Sequence, residues 1–502
     1  MRQFGCVQKI AIKYLKCLNM IYSICKNMLR SGGVSAIITI TSFFSANAQL
    51  NTYPAPAGAA LNPTFTIKVR LAGKKEWQPL TAYSVKVVHT KLPGQSVENA
   101  SMAYFSFDGT AEVSVSFNEG KIDSYRIRPF SDNIPSVVEG NTIRFTLQQP
   151  RNISIEINGD IFHNLHLFGN PLISFVPNVK DSNLIYYGPG IHEVAGGVLE
   201  VPSGKTVYLA GGAILKAHVV FNNVHDAKLI GDGMIDQSER GGISIEQSRN
   251  ITVQGVFCAR CFTGGSQNVH INNVKAISFF AWGDGMNVVS SNDVLIENVF
   301  NRNSDDCTTV YGTRGKYSGG CRNITMQHST LWADVAHPIL VGTHGSTPNK
   351  DTLQDLSYID IDILDHNEAQ IDYQGCMSLD AGDNNLIRNV RFENIRVDDF
   401  RRGQLLNLRV FFNRKYCTSP GRGIEDVLFK NIVYNGTHAG MSVIDGYNDE
   451  RKIKNIVFEN LQINGTVFCD TMKEKPGWYK TADLAGIYVG NHTENIVFKK
   501  TE

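Results

Sequence analysis

The sequence predicts an all-β chain in two parts: a β-sandwich followed by a right-handed parallel β-helix. Three observations lead there. Residues 49–178 alternate apolar and polar side chains in short runs punctuated by Gly, Pro, Asn and Asp. From residue 179 a second pattern recurs, in which Asn or Asp precedes alternating aliphatic positions and a further Asn. Gly is plentiful, at 45 residues, and charged residues are only 19% of the chain, a balance that favours turns and strands.

The first 48 residues read differently from the rest. They carry Arg2, Lys9, Lys13, Lys16, Lys26 and Arg30 but no acid, then the apolar run "VSAIITITSFF" and the small-x-small signal Ala46-Asn47-Ala48. This is the layout of a secretory signal peptide, so the protein is expected to be exported, secreted or periplasmic. A membrane anchor fits less well, because the apolar run is shorter than the roughly 20 residues a spanning helix needs. No membrane span is expected once the leader is removed. Six of the 48 bases leave with it, against none of the 47 acids, so the remainder is mildly acidic. That balance argues against a nucleic-acid groove.

Three of the ten cysteines also lie in the leader. The other seven, Cys258, Cys261, Cys307, Cys321, Cys376, Cys417 and Cys469, are odd in number and thinly spread, so no disulfide framework is expected. Cys258-x-x-Cys261 lacks a second pair to complete a zinc site.

In the sandwich, the runs "TFTIKVRL", "YSVKVVHT", "MAYFSFDG", "AEVSVSFN", "TIRFTLQQ" and "ISIEING" read as strands. In the second part, "SRNITVQGV", "SQNVHINNV", "SNDVLIENV", "IRNVRFENI" and "IKNIVFENL" are versions of one unit. It recurs at about 20–40 residues, the spacing of stacked solenoids. One such strand cannot bury its apolar face alone, whereas a stack of coils encloses a continuous interior. The recurring Asn suits coil corners, where its amide satisfies turn backbone or stacks into a ladder. Leucine-rich repeats share the periodicity, but their Leu framework is missing from this sequence, and a propeller would show several strands per repeat.

Residues one coil apart lie on neighbouring strands, about 4.8 Å from each other. Asp284, in "FFAWGDGMNVV", precedes Asp305 and Asp306, in "NRNSDDCTTVYG", by a single coil; Asp334 and His337, in "LWADVAHPILVG", follow by another. The register therefore gathers carboxylates on one outer face. Acids so close repel, which raises the pKa of one and leaves others ionised. An inverting glycosidase needs that inequality, with one acid protonating the glycosidic oxygen and a second activating water. Trp282 and Tyr311 flank the acids as surfaces on which sugar rings would stack. The bland alternative is a polar turn; a calcium site serving a lyase is the sharper rival.

At these residues the chain resembles the polygalacturonases, glycoside hydrolase family 28, and their clan relative family 49, the dextranases and isopullulanases. Asn303-Ser304-Asp305-Asp306-Cys307 is similar to the family's Asn-x-Asp-Asp-Cys block, Trp282-Gly283-Asp284-Gly285 to its Asn-Thr-Asp-Gly block, and Ala336-His337-Pro338 to its Gly-His-Gly block. The leading sandwich is more like family 49. The resemblance implies a pectin-lyase-like solenoid with Asp305 as general acid. Asp284 and Asp306 would position and deprotonate water, and His337 would tune the acid or contact substrate. It implies no metal and no organic cofactor.

The sequence departs from the family where an Arg-Ile-Lys block would bind a uronate carboxylate. Met377, Ser378 and Leu379 stand there, followed by Asp380. Either Arg409 or a neighbour takes that role, or the glycan is neutral or only partly charged, which is the reading favoured here. Asp380 and Arg409 join Trp282 and Tyr311 as candidate substrate contacts. The expected activity is hydrolysis of α-glycosidic bonds in a polysaccharide or oligosaccharide. The alternatives are a non-catalytic carbohydrate-binding β-helix and a calcium-dependent polysaccharide lyase.

Overall fold

The computed structural model describes residues 48–91, 94–473 and 475–501. The leader, apart from Ala48, lies outside the described residues. Among those described, no helix is long and apolar enough to cross a membrane.

The alternating runs before residue 172 pair as two largely antiparallel sheets. One joins Leu50–Thr52, Tyr83–Lys91, Gly94–Phe107, Asp160–Pro171, Arg151–Ile157 and Tyr125–Arg128. The other orders Gln78–Leu80, Phe65–Leu71, Ala111–Phe117, Thr142–Leu147 and Ser136–Glu139. Their inward positions meet in one apolar core that includes Phe65, Val113, Phe145, Phe105, Ile155 and Leu167. Alternation drives this packing, because every second side chain of each strand leaves water.

From Leu184–Tyr187 to Thr493–Lys499 the chain winds into a right-handed parallel β-helix, with most of its strands in one 29-stranded sheet. Rungs keep strict register: Val269 pairs with Val294, Val294 with Ile324, Ile324 with Leu356 and Leu356 with Val390. Inward residues of successive coils therefore stack on their own kind. Tyr358, Phe392, Phe429, Phe458 and Phe498 form one such column, with ring centroids 5.1, 4.9, 4.9 and 4.6 Å apart. All seven cysteines from Cys258 to Cys469 are free and buried, and most of them fill the same interior.

The recurring Asn and Asp turn each corner. Asn250, Asn268, Asn323, Asn389, Asn455 and Asn495 all adopt positive φ, from 51° to 58°. These residues tolerate that conformation because a short polar side chain can bond locally. Their amides also bond between coils: Asn268 Nδ2 donates to Asn250 Oδ1 at 2.8 Å, and Asn495 Nδ2 to Asn455 Oδ1 at 3.0 Å. These corner ladders hold the coils in the register that positions the acids.

The sandwich docks on the early and middle coils through aromatic and ionic contacts. Phe168 packs against Phe257 and Phe300, while Asn164 and His166 each contact the Arg302 guanidinium, at 2.9 and 3.1 Å.

Candidate active site

Three consecutive rungs carry the acids. Met286 pairs with Thr308, and Thr308 pairs with Ile339. Two residues before each of these stand Asp284, Asp306 and His337, so the three occupy equivalent places on successive coils. Backbone bonds continue the ladder to the corner, with Gly285 N–H donating to Asp306 O and Cys307 N–H to His337 O, both at 2.8 Å. Asp305 is the neighbouring residue on the middle rung.

Local packing fixes this corner. Cys307 and Met286 anchor it in the solenoid interior. Asn303 Nδ2 and the Ser304 N–H both donate to Ser278 Oγ at 3.1 Å, and Ser304 Oγ donates to Phe280 O at 2.6 Å. A Cβ at Gly283 would collide with Ser304 Oγ, and one at Gly285 with Asn303 Oδ1, so glycine is required on both sides of Asp284. Trp282, just before this tight segment, takes φ = 57° and is 76% exposed. Positive φ is uncommon for a bulky residue, and here it leaves the indole in solvent.

The acids are electrostatically unequal. Asp305 is raised to about 8, first by burial and then by the charges of Asp306 and Asp284. Asp284 is raised to about 6 by burial and by Asp306, against the hydrogen bond it accepts from Asn287 Nδ2 at 2.7 Å. For His337, burial alone would lower the value, but the charge and hydrogen bond of Asp306 outweigh it and lift the imidazole to about 9. The geometry agrees. His337 Nε2 lies 2.8 Å from Tyr373 O, which can only accept, and Nδ1 lies 2.7 Å from Asp306 Oδ1. Both ring nitrogens donate, so the histidine is an imidazolium and Asp306 its carboxylate partner. Asp306 Oδ1 also accepts the His337 N–H at 3.1 Å, and Oδ2 accepts the Tyr311 hydroxyl at 3.3 Å.

A cavity of about 420 Å³ opens beside Asp284 and is lined by Trp282, Asn287, Phe262, Arg260 and Arg314. The sequence reading missed both arginines. "CARC" and "YGTRGK" look like ordinary corners, and only the coil register brings them to one side of Asp284.

The structure brings Asp284, Asp305, Asp306 and His337 together and corrects other expectations. Asp334 does not join them: it is fully buried and paired with Arg302, Nε to Oδ2 at 2.9 Å, and with Arg401 at 3.3 Å. Tyr311 offers no face for stacking, being 2% exposed, with its hydroxyl on Asp306. It belongs to a buried apolar cluster with Leu340, Tyr373 and Phe411. Asp380 is fully buried as well, bonded by Ser378 Oγ at 3.0 Å and Asn407 Nδ2 at 2.9 Å, so it does not reach substrate directly. Arg409 donates to Asp372 O at 3.1 Å and lines a separate cavity of about 250 Å³ with Phe412, Asp445 and Tyr447, which none of the catalytic candidates lines. Trp282 alone of the four expected substrate contacts stands open at the acid cluster.

Comparison with known proteins agrees with this architecture. The family model described as glycosyl hydrolases family 28 matches residues 133–481. No curated protein sequence matches the chain. Among solved structures, Dex49A from Penicillium minioluteum is similar at 12% identity, over 90% of this chain and 96% of that one, with a TM-score of 0.52. The family 28 exopolygalacturonase of Yersinia enterocolitica is similar at 12% identity, over 77% and 96%, with a TM-score of 0.44. With a family model covering well over half of its length, and the acid-bearing coils inside the matched region, this chain belongs to glycosyl hydrolases family 28 and is a glycoside hydrolase.

Proposed function

We propose that the protein is an exported hydrolase that cleaves α-glycosidic bonds of a polysaccharide with inversion at the anomeric carbon. The observation that carries this reading is the unequal acid set: Asp305, raised to about 8, holds its proton through neutral pH beside Asp284, raised only to about 6. Asp305 gives that proton to the leaving glycosidic oxygen as the bond to the anomeric carbon breaks. Water attacks that carbon from the opposite face and passes its proton to a carboxylate. Asp284 lines the cavity and serves as that base, while Asp306, held by His337 Nδ1 at 2.7 Å, helps position the water. The leader at residues 1–48 supports export, to the medium or the periplasm.

The substrate reading is a neutral or partly charged glycan, and the cavity favours the partly charged kind. Arg260 and Arg314 face the same space as Trp282. Arg260 donates to Glu239 O and lies 5.5 Å over the Phe280 ring; Arg314 lies 4.8 Å over the Tyr311 ring. Two guanidiniums lining one cavity suit an acidic group on some units of the glycan.

Release of new reducing ends from dextran, pullulan, polygalacturonate and rhamnogalacturonan tests the reading. Hydrolysis of at least one without added calcium is expected. Unsaturated products absorbing in the ultraviolet, or binding without cleavage, would overturn it.

A further inference from the structure

We propose that this enzyme attacks glycan chains from an end, because the face bearing the acids is open toward the earlier coils and plugged over the later ones. The inference rests on the hydrolase reading above.

The pairing register defines the outward row that crosses the site: Phe262, Asn287, Thr309, Leu340, Ser378 and Asn407. Burial along this row changes abruptly. Phe262 and Asn287 are half-buried and line the 420 Å³ cavity. Thr309, Leu340 and Ser378 are 0% exposed and Asn407 is 1% exposed. The change falls at the rung of the acid pair.

Two segments provide the cover. The 3-10 turn Ile371–Tyr373 and the stretch 411–417 lie over the later rungs. Tyr373 stacks on Tyr416 with centroids 4.6 Å apart and packs against Phe411 at 5.6 Å, and its carbonyl holds His337. Polar ties fasten the two segments to each other and to the coils. Lys415 Nζ and Tyr416 Oη both donate to Gln370 Oε1 at 2.9 Å, and Asn413 Nδ2 donates to Asp372 Oδ2 at 3.0 Å. Cys417 Sγ donates to Thr343 O at 3.2 Å, and Asp383 Oδ1 accepts the Thr418 N–H at 2.6 Å. An apolar contact surface pinned at several points is a fixed wall.

An extended polymer cannot lie along both sides of such a site. One end of the chain must enter the cavity beside Trp282, whose 420 Å³ falls at the lower end of ligand pockets of about 300–1,000 Å³. The product length is then set by the distance from the plug or the pocket end to Asp305, and each turnover releases a piece of the same size.

The test follows product sizes and solution viscosity on whichever polymer the wild-type protein hydrolyses. A single short product from the earliest times, with viscosity almost unchanged, is expected. A ladder of oligosaccharides with an early fall in viscosity would overturn end-wise attack while leaving the hydrolase reading intact. Absence of hydrolysis on every polymer would sink both. Tyr416→Ala, checked for native circular dichroism, should shift the products toward mixed and longer lengths; an unchanged single product would remove the plug as its cause.

Discussion

Two clusters of buried carboxylates lie within one coil of each other and have opposite fates. Asp334 and Asp365 are buried against guanidiniums: Arg302 and Arg401 pair with Asp334, and Arg401 Nε binds Asp365 Oδ2 at 2.6 Å. Asp284 and Asp305 are buried against other acids, with Asn287 and backbone N–H groups as their hydrogen-bond donors. In the first cluster charge is neutralised and the groups serve to fix the sandwich to the helix. In the second, burial and then the remaining repulsion raise Asp305 to about 8, which leaves its proton in place at neutral pH. Burial of an acid therefore does not mark a site; here the difference is that neither Asp284 nor Asp305 has a guanidinium bonded to it.

Substitutions on the two sides of this contrast should separate activity from stability. Asp305→Asn should lower kcat by about 10²–10⁴-fold, the range for loss of a general acid, with the fold retained. Because the folded-state pKa of Asp305 is raised, its ionisation costs stability as pH climbs from the ordinary carboxylate range to about 8. The variant should therefore be the more stable form at neutral pH, with the difference vanishing near pH 4; thermal unfolding at both pH values checks this. Arg302→Met should do the reverse. It leaves Asp334 buried without its main partner and should cost about 3–5 kcal/mol in denaturant unfolding.

The pH dependence sharpens the same comparison. In the proposed mechanism Asp305 must be protonated and Asp284 ionised, so kcat/KM should fall below about 6 and above about 8. The two limbs belong to the coupled set rather than to single residues. The His337 pair contributes stability that is fully present below about 6.5 and is lost as pH rises through about 9, since its folded-state pKa is raised. His337→Gln should remove that alkaline loss from the unfolding profile. The smallest effect is expected far from both clusters: Asn455→Ala, at φ = 58° in the corner ladder, should cost about 1–2 kcal/mol for the left-handed conformation alone.

The repeat was legible because stacking forces a periodic text. Asn250, Asn268 and Asn455 recur because each corner needs a residue that tolerates positive φ and can bond the next coil. The same register brought Asp284, Asp306 and His337 to one place. Asp334 misled because its partners Arg302 and Arg401 are 32 and 67 residues away, and no local pattern ties them to it. Tyr311 and Asp380 do face outward on their strands, as alternation requires, yet Tyr311 packs with Tyr373 and Phe411 from the covering loops, and Asp380 is buried against Ser378 and Asn407. Loop conformation has no period, so those covers could not be read from spacing, and neither could the meeting of Arg260 with Arg314.

The central claim is that the unpaired acids drive a direct displacement by water. Proton NMR of the first product formed, recorded before mutarotation, tests it most directly. Hydrolysis of an α-linked glycan should yield the β-anomer first, with the α-anomer growing in afterwards. Appearance of the α-anomer first would mean retention, and would contradict the assignment of Asp305 as acid and Asp284 as the base for water.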